Sequence, residues 1–265
     1  MGLRISNLMS LNVQRQLQRH TARLGRSMER LSSGLRINRA ADDPAGLAIS
    51  ERMKAQIRAL DVLNRNAADG ISLVQVAEGN LGGIGDLLIR MKELATQSLN
   101  GTLSDSDRIH VDSEFQALKE EITRIGEQAQ FNGVDLLNGA SGTLTLRIGI
   151  GSATAGGMQL DLSGDTTAAG LGIDSLDVLQ ATDASARAAI DGIDQAISQV
   201  SFRRAQFGAQ QNRLESVIRQ NLSLSENLSA ANSRIRDVDI AAEMSELTSA
   251  RILKQVAVSI LAQAH

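Results

Sequence analysis

The sequence predicts a mainly α fold: an elongated antiparallel bundle of long helices paired as a coiled coil, with a small β-hairpin region. Three observations carry that expectation. Over two stretches of about fifty residues the apolar side chains recur at steps of three, four or seven, the spacing of a helix face that pairs with another helix. The 265 residues include four Phe and neither Tyr nor Trp, so the apolar surface is built from Leu, Ile, Val and Ala rather than from rings. A single proline leaves long segments free of helix breakers.

From the N-terminus, residues near 5–35 carry a helical stripe of Leu17, Leu24, Met28, Leu31 and Leu35. Asp42-Asp43-Pro44 then reads as a helix start, with Asp43 as N-cap and Pro44 at the first helical position, where a missing N–H costs nothing. The helix that follows, from 44 to about 98, has a seam of Ile49, Met53, Ile57, Leu60, Ala67, Ile71, Val74, Leu81, Ile84, Leu88, Met91 and Leu94, with Asn64 and Ala77 filling two of its positions. At ~1.5 Å per residue it is roughly 80 Å long. Gly70, Gly79, Gly82, Gly83 and Gly85 interrupt it, as points of close approach or of bending. Leu99–Ser104 is rich in turn residues, and a shorter helix with Val111, Phe115, Leu118, Ile122, Ile125 and Ala129 on one face ends at Phe131-Asn132-Gly133.

The β-like stretch comes next. Leu144, Leu146, Ile148 and Ile150 alternate, as do Met158, Leu160 and Leu162 beyond a Gly-rich link, which predicts a hairpin near 143–163. Asp165 to Asp177 reads as a loop. Thr182-Asp183 opens a second very long helix, with a seam of Ala186, Ile190, Ile193, Ile197, Val200, Phe207, Leu214, Ile218, Leu228 and Ile235. Arg204, Gln211, Asn221, Ser225 and Asn232 hold the same frame, and interior polar positions of this kind fix pairing register. Asp237 and Asp239 mark a helix break with new capping carboxylates. Ile240 to Ala264 becomes apolar nearly all round after Ile252, so partners must enclose it. The two ends of the chain are therefore expected to pair as arms, 1–42 with 236–265, beside a helical bundle over 43–235.

The same residues exclude several function classes. Absent cysteine removes disulfides, thiolate metal sites and cysteine nucleophiles. His20, His110 and His265 are scattered, so neither a His-centred metal site nor a catalytic triad is expected. Gly149-Ile150-Gly151 follows a strand, but Thr154 stands where a dinucleotide loop needs its third glycine. No cofactor is implied, and the chain reads as a structural subunit rather than an enzyme. A net charge of −3, mixed in sign, marks no nucleic-acid surface, and no apolar run reaches the ~20 residues of a membrane helix.

Several strings resemble bacterial flagellin. LSSGLRINRAADDPAGLAIS (31–50) is similar to that family's N-terminal signature, continued by NRNAADGISLVQVAEGNL (64–81), RMKELATQS (90–98) and FNGVDLLNG (131–139). ENLSAANSRIRDVDIAAEM (226–244) and SILAQA (259–264) resemble the C-terminal signature. The resemblance implies a self-assembling subunit of the flagellar filament, secreted and extracellular, with an inner coiled-coil layer from the terminal arms and an outer layer from 43–235. With about 40 residues between the two halves, the subunit would be minimal, without large variable outer domains; the family usually continues a short way past the position of His265. The partners implied are many copies of the same chain, the flagellar export machinery with an export chaperone, the hook-associated junction and cap proteins, and Toll-like receptor 5. Arg90, Leu94 and Glu114 match the family's receptor-contacting positions, and Arg90 and Leu94 lie one turn apart on the helical wheel. Two other readings are a hook–filament junction protein and a surface binding module whose Gly-rich hairpin recognises a carbohydrate or receptor.

Overall fold

The computed structural model describes residues 2–151, 156–179 and 183–263, with side chains from residue 11 and, after the last gap, from 185. The predicted positions Thr154, Thr182, Ala264 and His265 lie outside the described residues. Among those described there are five helices, α1 (Gly2–Ser33), α2 (Pro44–Ser98), α3 (Asp105–Gln128), α4 (Asp183–Arg236) and α5 (Ile240–Gln263), and two small antiparallel sheets. By contact the chain divides into two compact units, 1–58 with 224–265, and 59–223. The division thus falls inside α2 and α4. Every residue of the main apolar core comes from 73–207, so the short stretches of α2 and α4 outside 59–223 have no share in it.

Helix ends follow local chemistry. Pro44 opens α2, and the Asp43 carboxylate accepts the Gly46 N–H at 2.9 Å, as an N-cap does. Ser104 caps α3 in a reciprocal capping box with Asp107. The Asp239 carboxylate accepts the Ala241 and Ala242 N–H groups at 2.9 and 3.1 Å and so starts α5.

In the unit 59–223, α2 and α4 run antiparallel, with Lys92 paired to Asp194 at 2.6 Å and Glu78 to Arg204 at 3.7 Å. The seam on α2 passes through Leu60, Leu63, Ala67, Val74, Ala77, Leu81, Ile84, Leu88 and Met91, all buried. On α4 the fully buried line is Ala186, Ala189, Ile193, Ala196, Val200, Phe207 and Leu214. Ile190 and Ile197 flank it, half-buried, because the small Ala189 and Ala196 occupy the centre of the contact. α3 closes this core with Val111, Phe115 and Ile122.

β3 (Thr143–Arg147) and β4 (Gly157–Asp161) form the predicted hairpin, with Leu144 opposite Leu160 and Leu146 opposite Met158. Leu146 presses against α2 at Gly70, where a Cβ would collide with its side chain, so Gly70 marks a close approach. Gly79, Gly82, Gly83 and Gly85 have open space around them. The buried Asn221 donates from Nδ2 to the Ile148 carbonyl at 3.1 Å; this seam polar group secures the hairpin.

Two features differ from expectation. Asn132 (φ 50°) and Gly133 (φ 79°) form the turn of a further hairpin, β1 (Gln130–Phe131) with β2 (Val134–Asp135). The stretch Asp165 to Asp177, expected to be a loop, buries Ala168, Leu171 and Ile173 in the core, and Leu162 and Val178 on either side of it are buried there too. Thr166 anchors it, donating from N and Oγ1 to the Leu137 carbonyl at 2.8 and 3.0 Å.

Ile193→Asp places an unpaired carboxylate in this core and is expected to cost ~3–5 kcal/mol. Gln195→Asp, on the exposed face of the same helix, stays within ~0.5 kcal/mol of the parent. Denaturant unfolding followed by circular dichroism measures both, and equal losses would show that the seam is misassigned.

Candidate assembly surfaces

In the unit formed by 1–58 and 224–265, α1 pairs with α5. The inward positions of α1 are Val13, Leu17, His20, Leu24, Ser27 and Leu31, each four or three residues after the last. Those of α5 are Glu243, Leu247, Ala250, Lys254, Ala257 and Leu261, on the same rhythm. Arg30 meets the buried Glu243 at 3.5 Å while Leu24 lies near Leu247 and Lys254, so the pair is antiparallel. Met28, expected on the stripe, is 57 % exposed: it stands one position past the seam residue Ser27.

This pairing covers a single stripe. Ile252, Leu253, Val256, Val258 and Ile260 remain 43–54 % exposed. A cleft of about 540 Å³ between Leu24, Met28, Leu247 and Val258 adds to that apolar surface. Large apolar side chains exposed together on one helix, beside an apolar cleft, mark a candidate interaction surface. No helix of the described residues is long and apolar enough to cross a membrane.

The linker 34–43 is a built structure. Gly34 takes φ 72° to end α1, and Leu35 bridges Asp237 antiparallel. The Arg36 N–H donates to the Arg236 carbonyl at 2.6 Å, and the Val238 N–H to the Gly34 carbonyl at 3.0 Å. Ile37, 1 % exposed, packs where Gly46 leaves room for it. The Asp42 carboxylate accepts the Arg39 and Asn38 N–H groups at 3.0 and 3.2 Å, and these two bonds hold it below the usual carboxylate range. Arg236 reaches Glu51 on α2 and lowers that carboxyl in the same way.

Of the predicted seam positions, Leu60, Val74, Ile193, Val200, Phe207 and Leu214 are buried, and Met53, Ile57, Ile71, Ile190 and Ile197 are half-buried. Ile49 is 39 % exposed. Its unit covers few faces of α2, so it stands outside the seam of the single chain. The receptor candidates separate. Arg90 is exposed and bonded to Glu114 on α3, Nε at 3.0 and Nη2 at 2.9 Å, with Glu93 at 3.0 Å from Nη1. Glu114, then Glu93, raise its already high pKa. Leu94 does not share that face. It is 2 % exposed and belongs to the core, so its side chain is closed to any receptor while the bundle is folded.

Comparison with known proteins agrees with this architecture. The model of the bacterial flagellin N-terminal helical region matches residues 5–142, and that of the C-terminal helical region matches 190–265. A flagellin of Halalkalibacterium halodurans is 47 % identical over 98 % of this chain and 94 % of its own. The flagellar filament 33 kDa core protein of Treponema phagedenis is 43 % identical over the same shares. Among solved structures, Bacillus cereus flagellin superposes with a TM-score of 0.53 and 31 % identity, over 63 % of this chain and 94 % of that one. A putative flagellar hook-associated protein from Vibrio parahaemolyticus shares the fold with a TM-score of 0.62 at 16 % identity, over 74 % of this chain and all of that one.

The linker bonds generate a pH prediction. A carboxyl whose folded pKa is depressed stabilises the fold above its unfolded pKa, and that contribution is lost as pH falls through the folded value. Protection of the Asn38 and Arg39 amides should therefore hold near neutrality and fall below about pH 4. Asp42→Asn should lower it at neutral pH and flatten the dependence. Hydrogen exchange by NMR, corrected for intrinsic rates, measures this; identical pH profiles in parent and variant would contradict it.

Proposed function

The chain belongs to the bacterial flagellin family and is a structural subunit of the flagellar filament; from that premise we propose how its parts serve assembly. Residues 1–42 and 236–265 form the inner layer of the filament, and 43–235 the outer layer. The observation that carries this reading is the apolar surface α5 leaves uncovered after pairing with α1, because neighbouring copies can bury what one chain cannot. Flagellins make an extracellular filament, so the subunit has to leave the cell. Passage through the flagellar export machinery with a chaperone on its apolar arms, and junction and cap proteins at the filament ends, fit that route. The hook–filament junction reading is the weaker one, since the likeness to a hook-associated protein is one of fold, while identity to filament subunits runs through nearly the whole chain.

Recognition by Toll-like receptor 5 fits the surface made by Arg90 and Glu114. A guanidinium beside a carboxylate presents both signs of charge to a partner, and arginines are enriched at interface hot spots. Leu94 supports that surface from beneath, by packing.

Removal of residues 1–42 and 236–265 should leave a folded fragment that no longer polymerises; electron microscopy of seeded reactions would reveal filaments if the arms were dispensable. For the receptor, Arg90→Ala should lower the signal of monomer in a reporter assay without changing helicity. Leu94→Ala should instead cost ~2–5 kcal/mol of stability. Parental signal from a well-folded Arg90→Ala protein would remove this face from consideration.

A further inference from the structure

The four phenylalanines are used unevenly. Phe115 and Phe207 are buried, and Phe131 packs half-buried on the same core. Phe202 is 63 % exposed, more than any other large apolar side chain among the described residues. It lies two residues past the seam position Val200, ~200° round the helix, with Gln199 and Gln206 one turn away on either side.

Beside Phe202 is a cavity of about 410 Å³, walled by this face of α4 and by the segment 161–170. Two glycines make that wall possible. The Arg203 guanidinium occupies the space a Cβ on Gly164 would need, and the Asp165 side chain the space of one on Gly170. Arg203 is already engaged, 3.7 Å from Asp161 and 3.4 Å from the Gln206 amide oxygen. The Gln199 side chain, which lies on α4 and lines the cavity, makes no hydrogen bond among the described residues. The cavity therefore offers an exposed ring, a free side-chain amide and the edges of two carboxylates, Asp161, which Arg203 and Ser163 already engage, and Asp165, which accepts the Thr167 N–H.

We propose that the cavity receives the α2 face carrying Val62 and Arg65 of a second copy of this chain, an inference that rests on the filament reading. Val62 is 45 % exposed, and the exposed Arg65 one turn further on has no ion-pair partner among the described residues. The other exposed apolar side chains on α2 and α4 of this unit lack that combination. Val76 has no cation a turn away; Ile89 and Leu222 stand near Arg90 and Arg219, which are paired to Glu114 and Glu215. A guanidinium over the Phe202 ring, beside carboxylates, is attracted by both ring and charge. The chain's own Val62 does not serve. The Arg204–Glu78 pair sets Phe202 level with about residue 80 of α2, some ~27 Å along the helix from Val62. The contact joins two different patches, and such heterologous contacts propagate into open helical polymers when they do not close.

The chain has no cysteine, so Phe202→Cys and Val62→Cys introduce single thiols. The two variants, mixed, grown on parental filament seeds and treated with a short bis-maleimide, should give cross-linked dimers in filaments. Monomer mixtures, and filaments of either variant alone, should give none. Phe202→Ala should keep the parental melting temperature and raise the critical concentration for growth about tenfold. Gln199→Lys, which sets two cations together, and Arg65→Glu, which sets a carboxylate against Asp161, Asp165 and the ring face, should each do likewise. Absent cross-links, or normal growth of Phe202→Ala or of Arg65→Glu, would overturn this contact while leaving the filament reading intact. Failure of the parent to extend seeds would overturn both.

Discussion

Two backbone hydrogen bonds, between Arg36 and Arg236 and between Val238 and Gly34, lie where α1 gives way to α2 and α4 to α5. Their importance follows from the symmetry of a heptad. A helix pair slid by seven residues again meets apolar with apolar, so a seam alone leaves several registers close in energy. The short ladder removes that freedom at one end of the pair, and the buried Glu243 beside Arg30 penalises any slip that leaves its charge unpaired. Arg236 extends the constraint to α2 through Glu51 and Ser50. The rest of the terminal unit depends on this junction, because elsewhere its helices meet along stripes one side chain wide.

The two units differ in how far they satisfy themselves. Residues 59–223 enclose a core in which Leu81, Ile84, Leu88, Phe115 and Ile193 have no exposure at all. At about 25 cal/mol per Å² of apolar surface, such burial is the main stabilising term of a domain. In the other unit the α1–α5 seam includes His20, Ser27, Glu243 and Lys254, and large apolar groups point outward. Polar groups within and apolar groups without invert the arrangement of a finished monomer. They suit a unit that neighbouring copies would complete, as proposed above, by removing the same outward groups from water.

Legibility in the sequence tracked periodicity. The long helices, their caps at Asp43 and Asp239, and the hairpin of Leu144 and Leu160 were readable because each repeats with the period of its element or ends on a residue with one chemical use. The buried line of α4 was readable only to within one position, since large side chains draw attention to Ile190 and Ile197 while the tightest contact runs over Ala189 and Ala196. The segment 162–179 carries core residues with no period, because its backbone is neither helix nor strand, and nothing local distinguishes it from a surface loop. Asn132-Gly133 was a readable turn signal, yet strands of two residues leave no alternation to confirm it. Among the candidate contact residues, the heptad seam already held Leu94 while a helical wheel sets Arg90 one turn away; the structure buries the first in the core and leaves the second exposed beside Glu114.

The same reasoning explains why Phe202 carries information that Phe207 does not. A ring at a seam position is accounted for by the core it fills, whereas a ring ~200° from the seam has no use within its own helix pair. Retaining it at the surface exposes apolar area that disfavours a solitary monomer. In a subunit already committed to polymerise, that cost is offset wherever a neighbour covers the ring. Its position, on α4 level with about residue 80 of α2 rather than on the terminal arms, would make the proposed contact chemically separate from apolar packing between arms. Arms that associate through aliphatic surface supply strength with little directional preference. A ring, a guanidinium and carboxylates in a glycine-walled cavity supply direction, and a helical filament needs both if every copy is to meet the next in the same orientation.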